Sequence, residues 1–306
     1  MLEATFEHGK CVGRRTFANG DVYEGEFRMN EPHGEGSFTF RDGTSYVGEF
    51  DEDMYHGKGL WTCHTDSTAW SAGSSYEGEW VCGRRDGMGK YVSDVGYTYE
   101  GSWMRGLKHG EGLERTVPPG GSGIYSGEFF LDLRHGKGAM RYDYGGIYEG
   151  EWKLGRREGK GTEDIDNGTY EGEFVDGQRH GHGLRRYGNG DEGAAKEDYY
   201  AGRFHEDKPH GAGRRIFASG ASYVGEFKEG FFDGQGVMRY ADGARYEGRW
   251  RRDKRHGRGG KLVYSKSSWY SGEIQRGARQ GKGTMLYEEG DVYHGDWKTN
   301  LRHGHG

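Results

Sequence analysis

The chain of 306 residues contains 61 glycines but only 4 prolines, and its formal net charge is −6. Scarce proline excludes a collagen triple helix, and 14% aromatic residues argue against the disorder that 30% charged residues would otherwise suggest. The three cysteines, Cys11, Cys63 and Cys82, form no C-x-x-C motif, which excludes a disulfide framework and a zinc finger.

Charge is unevenly distributed along the chain. Residues 1–153 carry 16 basic and 25 acidic side chains, whereas residues 154–306 carry 27 and 24. Residues 203–282 alone carry 18 basic against 9 acidic side chains. The N-terminal residues do not resemble a signal peptide, and no apolar run approaches the roughly 18 residues of a membrane span. We therefore expect a cytoplasmic or cytoskeletal protein.

A tyrosine followed two residues later by glycine recurs twelve times. With each tyrosine as position 0, positions +2, +11 and +13 are glycine in all twelve units. Position +4 is aromatic in eleven units, with Ile274 as the exception, and position +10 is histidine in eight. The tyrosines are Tyr23, Tyr46, Tyr76, Tyr99, Tyr125, Tyr148, Tyr170, Tyr200, Tyr223, Tyr246, Tyr270 and Tyr293.

This spacing predicts one β-hairpin per unit. Positions 0, +2 and +4 share one face of a strand, positions +5 to +10 hold turn formers, and the glycines at +11 and +13 begin the second strand. Strand glycines on the aromatic face would leave slots for tyrosine or tryptophan rings. The pairs beginning at Asp42, Asn167, Asn189 and Asp242 are predicted to turn the chain into the next unit.

Stacked hairpins bury a continuous aromatic row, so the predicted fold is all-β: an elongated, solenoid-like antiparallel array of about twelve hairpins. At about 4.8 Å per strand this array would be roughly 115 Å long.

The motif Tyr-Glu-Gly-Glu-Trp with a following Gly-x-Gly at 148–161, and its counterpart Tyr-Glu-Gly-Arg-Trp with His-Gly-x-Gly at 246–259, resemble the MORN (membrane occupation and recognition nexus) repeat. We expect residues 1–22 to form an incomplete N-terminal repeat or cap, and residues 23–306 to form one rod of twelve repeats, the last incomplete. We also expect the natural chain to continue beyond Gly306. The structural repeat residues are predicted to be Tyr148, Gly150, Trp152, Gly159, Gly161, Tyr246, Gly248, Trp250, Gly257 and Gly259.

Patterns typical of catalysis are weak in this sequence. Histidines at +10 would lie roughly 9–10 Å apart, too far to share a metal ion, and they are interpreted as structural turn residues. Only the pairs His180/His182 and His303/His305 leave weak metal binding open. No phosphate loop or Gly-x-Ser-x-Gly elbow occurs, and the glutamates at +1 and +3 are interpreted as a solvated strand face. We therefore expect no catalytic, metal or cofactor-binding residues, no cofactor and no enzymatic activity.

Two features are candidates for interaction. One is a basic cluster preceded along the chain by Arg185-Arg186 and Arg214-Arg215; the other is a set of insertions at 64–75, 117–124 and 188–199, predicted to project from one edge. A basic patch suits anionic lipid headgroups or acidic protein surfaces, while the net negative charge and the absence of a motif argue against nucleic acid. An ordinary charged turn and neutral loop growth remain alternatives. The candidate residues are Arg249, Arg251, Arg252, Lys254, Arg255, Arg258 and Trp70.

The resemblance to MORN-repeat proteins implies a non-enzymatic scaffold. Many repeat-only members resemble radial-spoke-head and other axonemal or cytoskeletal proteins, so we expect cytoskeletal or axonemal partners, as a homodimer or within a large complex. The alternative is a membrane-associated tether that binds anionic phospholipid through the basic patch. A third possibility is the targeting part of a larger enzyme.

Overall fold

The computed structural model describes residues 2–7, 10–65, 71–119, 121–164, 168–188 and 198–306. None of these residues is helical, and the strands are antiparallel to their neighbours, so the all-β prediction is confirmed. The chain divides into two units, Met1–Arg156 and Arg157–Gly306, and each is described by itself.

In the first unit, each strand pairs with the next along the chain, with no crossover. Its strands are β1 (Leu2–Glu7), β2 (Lys10–Thr16), β3 (Val22–Arg28), β4 (Glu31–Thr39), β5 (Ser45–Asp51), β6 (Met54–Thr62), β7 (Ser75–Val81), β8 (Arg84–Val92), β9 (Thr98–Met104), β10 (Leu107–Thr116), β11 (Gly123–Phe130), β12 (Leu133–Tyr142) and β13 (Ile147–Lys153).

The second unit repeats this meander, with one interrupted strand. Its strands are β14 (Arg156–Asp164), β15 (Gly168–Val175), β16 (Gln178–Tyr187), β17 (Tyr199–His205), β18 (Lys208–Ile216), β19 (Ser222–Lys228), β20 (Phe231–Arg239), β21 (Arg245–Arg251), β22 (Lys254–Arg255), β23 (Gly257–Val263), β24 (Trp269–Gln275), β25 (Ala278–Leu286), β26 (Val292–Lys298) and β27 (Leu301–His303).

The tyrosine at position 0 is the centre of every hairpin. Eleven of these tyrosines are 0% exposed, and all twelve hydroxyls donate to the backbone carbonyl at +3, at 2.7–3.1 Å. The ring occupies the space left by the glycine at +13: a Cβ on Gly138 would lie 2.3 Å from the Tyr125 hydroxyl. The predicted slots are confirmed, and each holds the tyrosine of its own hairpin.

The predicted turn from +5 to +10 is too long. In all twelve hairpins only the residues at +6 and +7 form the turn, both with positive φ (44–52° and 61–92°), and the second strand resumes at +8. Two left-handed residues match the natural twist of paired strands, which explains why Asn, Asp or Gly occupies +7. The histidines at +10 therefore lie in strands and not in turns.

A β-bulge interrupts the second strand at the +11 glycine in ten hairpins, where the sequence predicts a regular strand position. All twelve +11 glycines have φ between +54° and +110°. In four hairpins the +3 glutamate accepts a hydrogen bond from the backbone N–H just beyond the bulge, at 2.9–3.2 Å. The glutamates at these four positions, Glu49, Glu128, Glu173 and Glu226, thus cap the bulge. Glu173 and Glu226 are also exposed, as the sequence predicts for this face of the strand.

The tenth hairpin contains one additional residue, which corrects the assignment of Gly259. Gly260, not Gly259, pairs with Gly272, and a Cβ on Gly260 would lie 2.8 Å from the Tyr246 hydroxyl. Gly259 has φ +75° and open space where its Cβ would lie. The extra residue widens the bulge and splits the second strand into β22 and β23.

The other predicted repeat residues occupy the expected places. Tyr148, Trp152, Tyr246 and Trp250 are buried, and both tryptophan Nε1 atoms donate to a glycine carbonyl of the preceding hairpin. The glycines pair across neighbouring strands or form the bulge: Gly150 with Gly138, Gly161 with Gly172, Gly248 with Gly236, and bulges at Gly159 and Gly257.

Turns between repeats follow the prediction where the structure describes them. The side chains of Asp42 and Asp242 accept hydrogen bonds from the N–H groups two residues on, at 2.8 and 2.9 Å. Gly43 and Gly243 adopt positive φ. Asn167 and Asn189 lie outside the described residues, as do parts of all three insertions.

Candidate interaction surfaces

In nine hairpins the side chain at position +9 lies on the buried tyrosine ring of the same hairpin. Position +9 is Lys or Arg in eight hairpins, Pro in two, and aromatic in two. Arg85 lies 4.1 Å from the ring centre of Trp103 in the next hairpin, and Arg279 lies 4.3 Å from that of Trp297. Tyr55 and Phe232 instead stack on their own tyrosines, with ring centres 4.0 and 3.9 Å apart. We call these residues the +9 column within each unit.

The same position joins neighbouring hairpins through the backbone. The +9 carbonyl accepts a hydrogen bond from the +7 N–H of the following hairpin in five pairs of the first unit and six of the second, at 2.7–3.2 Å. In Arg85, Arg157, Arg255 and Arg279 the guanidinium also donates to the +7 carbonyl of that hairpin. Cation–aromatic contact and hydrogen bonding are therefore combined at one position.

In the first unit, two +9 cations share one buried carboxylate at position +15. Glu114 is 5% exposed; its Oε1 accepts from Lys108 Nζ at 2.5 Å, and its Oε2 contacts Arg134 Nη2 at 2.8 Å. The Tyr97 hydroxyl donates to Oε1 at 2.7 Å. Burial alone would raise the pKa of Glu114, but Lys108, Tyr97 and Arg134 hold that pKa below its usual range. The carboxylate is therefore charged and fully partnered.

The second unit repeats this arrangement near its beginning. Glu163, also at +15, is 2% exposed. It pairs closely with Arg157, and Arg179 Nε lies 3.9 Å from its second oxygen. Arg179 also donates to the Asp207 carboxylate at 3.1 Å.

The next two hairpins of the second unit reverse the charge at +15. Arg185 and Arg215 occupy this position and pair in register with Tyr200 from its two neighbouring strands. Between them the +9 residue is Pro209. Neither arginine belongs to the predicted surface patch, because Arg185 is 8% exposed and Arg215 is half-buried.

A cleft of about 370 Å³ opens where Pro209 replaces the +9 cation. The rings of Tyr187, Phe217 and Phe232 line it together with Arg215. The Arg215 guanidinium lies 3.8 Å from the centre of the Tyr187 ring, and that of Arg185 lies 5.7 Å from the same ring. Asp198 pairs with Arg215.

The predicted basic cluster separates into two groups. Arg249, Arg251, Arg252, Lys254 and Arg258 are exposed around the β21–β22 turn. Arg251 pairs in register with Lys254, which places like charges opposite each other and is unfavourable in the free protein. Arg249 stands where most hairpins carry the acidic bulge cap, and Arg258 is 89% exposed with Glu273 at 3.8 Å. We call these five residues the basic hairpin.

Arg255 does not belong to the basic hairpin. Its guanidinium lies 5.8 Å from the Tyr246 ring centre and donates to the Gly277 carbonyl at 3.1 Å. It is a member of the +9 column. Trp70, the other predicted interaction residue, lies outside the described residues.

Four of the eight histidines at +10 contact aromatic or histidine rings. His109 and His135 lie 5.4 and 5.5 Å from the Phe130 ring, and His180 and His210 lie 5.0 and 5.6 Å from that of His205. Within the described ranges, no three His, Cys, Asp or Glu side chains are grouped to hold a metal ion. The part of the chain that the structure describes has no helix long and apolar enough to cross a membrane.

With this geometry, comparison with known proteins places the chain in a family. A family model described as MORN repeat matches twelve segments, each beginning at one of the twelve tyrosines: 23–45, 46–68, 76–96, 99–116, 125–145, 148–169, 170–192, 200–222, 223–245, 246–262, 270–292 and 293–306. The chain therefore belongs to the MORN-repeat family, and the predicted resemblance is confirmed.

Other comparisons add little. No curated protein sequence matches the chain significantly. Two structures of virginiamycin B lyase from Staphylococcus aureus align with it: a catalytically inactive variant with quinupristin and a selenomethionine-substituted form. They are 12% and 14% identical, cover 95% and 97% of this chain and 97% and 89% of their own, and give TM-scores of 0.15 and 0.14. Such scores carry no argument about fold or function.

Sequence reasoning missed the +9 column and the charged residues at +15. The signal was present, because Lys or Arg at +9 recurs in eight of twelve units. It was obscured by assigning +9 to the turn, whereas the structure pairs it with the +4 aromatic, as in Trp80 with Arg85 and Phe129 with Arg134.

Proposed function

We propose that this MORN-repeat protein is a non-enzymatic interaction scaffold, a component of the ciliary or flagellar axoneme or of the associated cytoskeleton. The observation that carries the scaffold proposal is the regular joining of hairpins within each unit by backbone hydrogen bonds and the +9 column. Such a frame resists local deformation and presents its loops and exposed strand faces at fixed spacings.

The buried glutamates support a non-enzymatic role, since Glu114 and Glu163 are held by cations of the frame itself. Their surroundings suit structural ion pairing. The axonemal setting rests on the family resemblance of the sequence.

Fractionation of ciliated cells tests the scaffold proposal. The tagged chain should remain with the detergent-insoluble axonemal pellet and resist moderate salt. The double variant Arg251→Glu with Lys254→Glu should remain there as well, because the basic hairpin is not required. A diffuse distribution, or release of the chain by mild detergent, would contradict the proposal.

A second candidate function is tethering to an anionic membrane surface through the basic hairpin. The pairing of Arg251 with Lys254, with Arg249 in place of an acidic residue, favours it because an anionic partner would relieve the repulsion. Each basic residue near an anionic membrane surface contributes about 1 kcal/mol of attraction, so five can support reversible binding.

Liposome sedimentation distinguishes this candidate from the scaffold. The tether predicts binding to vesicles containing phosphatidylserine, weakened by salt and lost in the Arg251→Glu, Lys254→Glu variant. Vesicles of phosphatidylcholine alone are the control, and equal binding of the variant and the parent chain would exclude the tether.

A further inference from the structure

We propose that the cleft at Pro209 is a docking site for an acidic side chain of a protein partner, presented on an extended segment with apolar neighbours. This inference rests on the proposed scaffold function and assigns it a partner chemistry. It depends on three independent features of the second unit: an open position, an unpaired buried cation and an aromatic lining.

The cleft forms where the +9 column lacks a long side chain. In seven hairpins a Lys or Arg lies over the tyrosine ring, and in two others Tyr55 or Phe232 stacks on it. Pro209 is too short to cover Tyr200 in this way. The result is a cleft of about 370 Å³, which falls within the size range of small-ligand pockets, about 300–1,000 Å³.

The unpaired cation is Arg185. It is 8% exposed, its Nη1 is buried without a hydrogen-bond partner, and no described residue forms an ion pair with it. Its guanidinium and that of Arg215 both approach the ring of Tyr187, which lines the cleft. Asp198 pairs with Arg215 and, among the described residues, no carboxylate is left for Arg185. A buried Arg without a counter-charge is costly and calls for an anion.

Two other clusters of this protein show how a buried carboxylate is held between cations. At Glu114, a +15 carboxylate is held between two +9 cations, Lys108 and Arg134, and at Glu163 it is held between Arg157 and Arg179. Around Pro209 the arrangement is inverted, because two +15 cations flank a +9 position that carries no charge. A carboxylate entering from outside would complete the inverted cluster.

Charge and lining together select the occupant. A basic side chain would be repelled by Arg185, whereas the charge of Arg215 is already balanced by Asp198. Asp253 also lines the cleft, but its carboxylate already accepts the Phe232 N–H at 2.8 Å. The rings of Tyr187, Phe217 and Phe232 favour apolar groups beside the acid. A glutamate or aspartate with leucine-like neighbours on an extended segment meets both requirements.

Peptide binding to the full chain tests the proposal. The probes are fluorescent peptides of sequence Ser-Leu-Glu-Leu-Ser, with Gln or Lys replacing Glu in the control peptides. We expect the Glu peptide to bind about tenfold or more tighter than the Gln peptide, since hydrogen bonds to charged groups are stronger than neutral ones. The Lys peptide should not bind. Equal binding of the Glu and Gln peptides would overturn the proposal.

Two variants test the site separately, one by removing its positive charge and one by filling the cleft. Arg185→Met removes the charge, and methionine occupies +15 at Met140, Met238 and Met285, so folding should be preserved. Pro209→Phe should fill the cleft as Phe232 fills its own position, leaving both arginines in place. Each should abolish the preference for the Glu peptide. Arg186→Met, at the exposed neighbouring residue, is the matched control and should bind normally.

Three results would contradict the docking site. The first is unchanged peptide binding in Arg185→Met or Pro209→Phe. The second is displacement of the peptide by an equal concentration of free acetate or phosphate, which would indicate a site for small anions. The third is self-association that Arg185→Met abolishes, which would make a second copy the occupant. If the peptide fails while the chain stays in the cytoskeletal pellet, the scaffold function holds and this inference falls.

Discussion

Glu114 in the first unit and Arg185 in the second both occupy position +15 of their hairpins, and they carry opposite charges. Both side chains are more than nine-tenths buried. Glu114 has partners for both oxygens, whereas Arg185 Nη1 has none among the residues that the structure describes. The frame that buries the two residues is alike, so the difference lies in the neighbouring +9 side chains. Burial of a charged side chain at +15 therefore does not by itself indicate that this residue stabilises the fold. Its charge is balanced by neighbouring side chains in one hairpin and is not balanced by described residues in another.

The largest effect is expected at Glu114. Glu114→Met leaves Lys108 and Arg134 half-buried without their carboxylate, and should lower the free energy of unfolding by about 4 kcal/mol. Chemical denaturation followed by tryptophan fluorescence measures this change. Glu24→Gln, in an exposed ion pair with Arg14, is the control and should change stability by less than about 1 kcal/mol. A loss of less than about 1 kcal/mol for Glu114→Met as well would contradict the view that Glu114 stabilises the fold by pairing with Lys108 and Arg134.

Glycine variants test whether the space between the +13 glycine and the tyrosine ring is equally tight in both units. A Cβ at Gly138 or Gly236 would lie 2.3 or 2.2 Å from the hydroxyl of Tyr125 or Tyr223. Gly138→Ala and Gly236→Ala should each lower the free energy of unfolding by about 3 kcal/mol. The two losses should agree closely; a large loss in one unit alone would show that the hairpins are not equivalent.

The tenth hairpin offers a smaller, internal test of the corrected register. Gly260→Ala brings a methyl group onto Tyr246 and should cost about 2 kcal/mol. Gly259→Ala meets only open space, so its cost is the roughly 1 kcal/mol of left-handed backbone strain. Thermal unfolding of the two variants measures the difference. A larger loss for Gly259→Ala than for Gly260→Ala would show that Gly259, and not Gly260, lies against the Tyr246 ring.

Alkaline titration probes the shared tyrosine row. Burial raises the pKa of Tyr246 and of Tyr270 to about 12, from an ordinary value of 10.0. Because the folded-state value is raised, the stabilisation is complete below pH 10 and is lost as the pH rises through about 12. Ultraviolet absorbance should show these phenols ionising together with unfolding. Ionisation near pH 10 in the folded chain would contradict the buried row.

The sequence predicted much of the hairpin, because tyrosine, glycine and the aromatic residue at 0, +2 and +4 keep strict alternation on one strand. It did not predict the bulge, since a glycine at +11 is compatible with a regular strand until its backbone conformation is known. The bulge shifts the inward–outward alternation of side chains along the second strand. A sequence pattern without the bulge therefore predicts a long turn that includes position +9, where Arg85 and Arg134 lie. Whether a charge at +15 has a partner depends on residues of two hairpins, which is why Glu114 and Arg185 could not be distinguished.

The most direct test of the account is the free energy of unfolding of Arg185→Met, measured beside Arg186→Met in the absence of any partner. If Arg185 is an unpaired buried cation held for an external carboxylate, Arg185→Met should be as stable as the parent chain or more stable by about 1 kcal/mol, and Arg186→Met should be unchanged. A loss of about 2 kcal/mol or more in Arg185→Met alone would show that Arg185 stabilises the chain by itself, and would contradict the account.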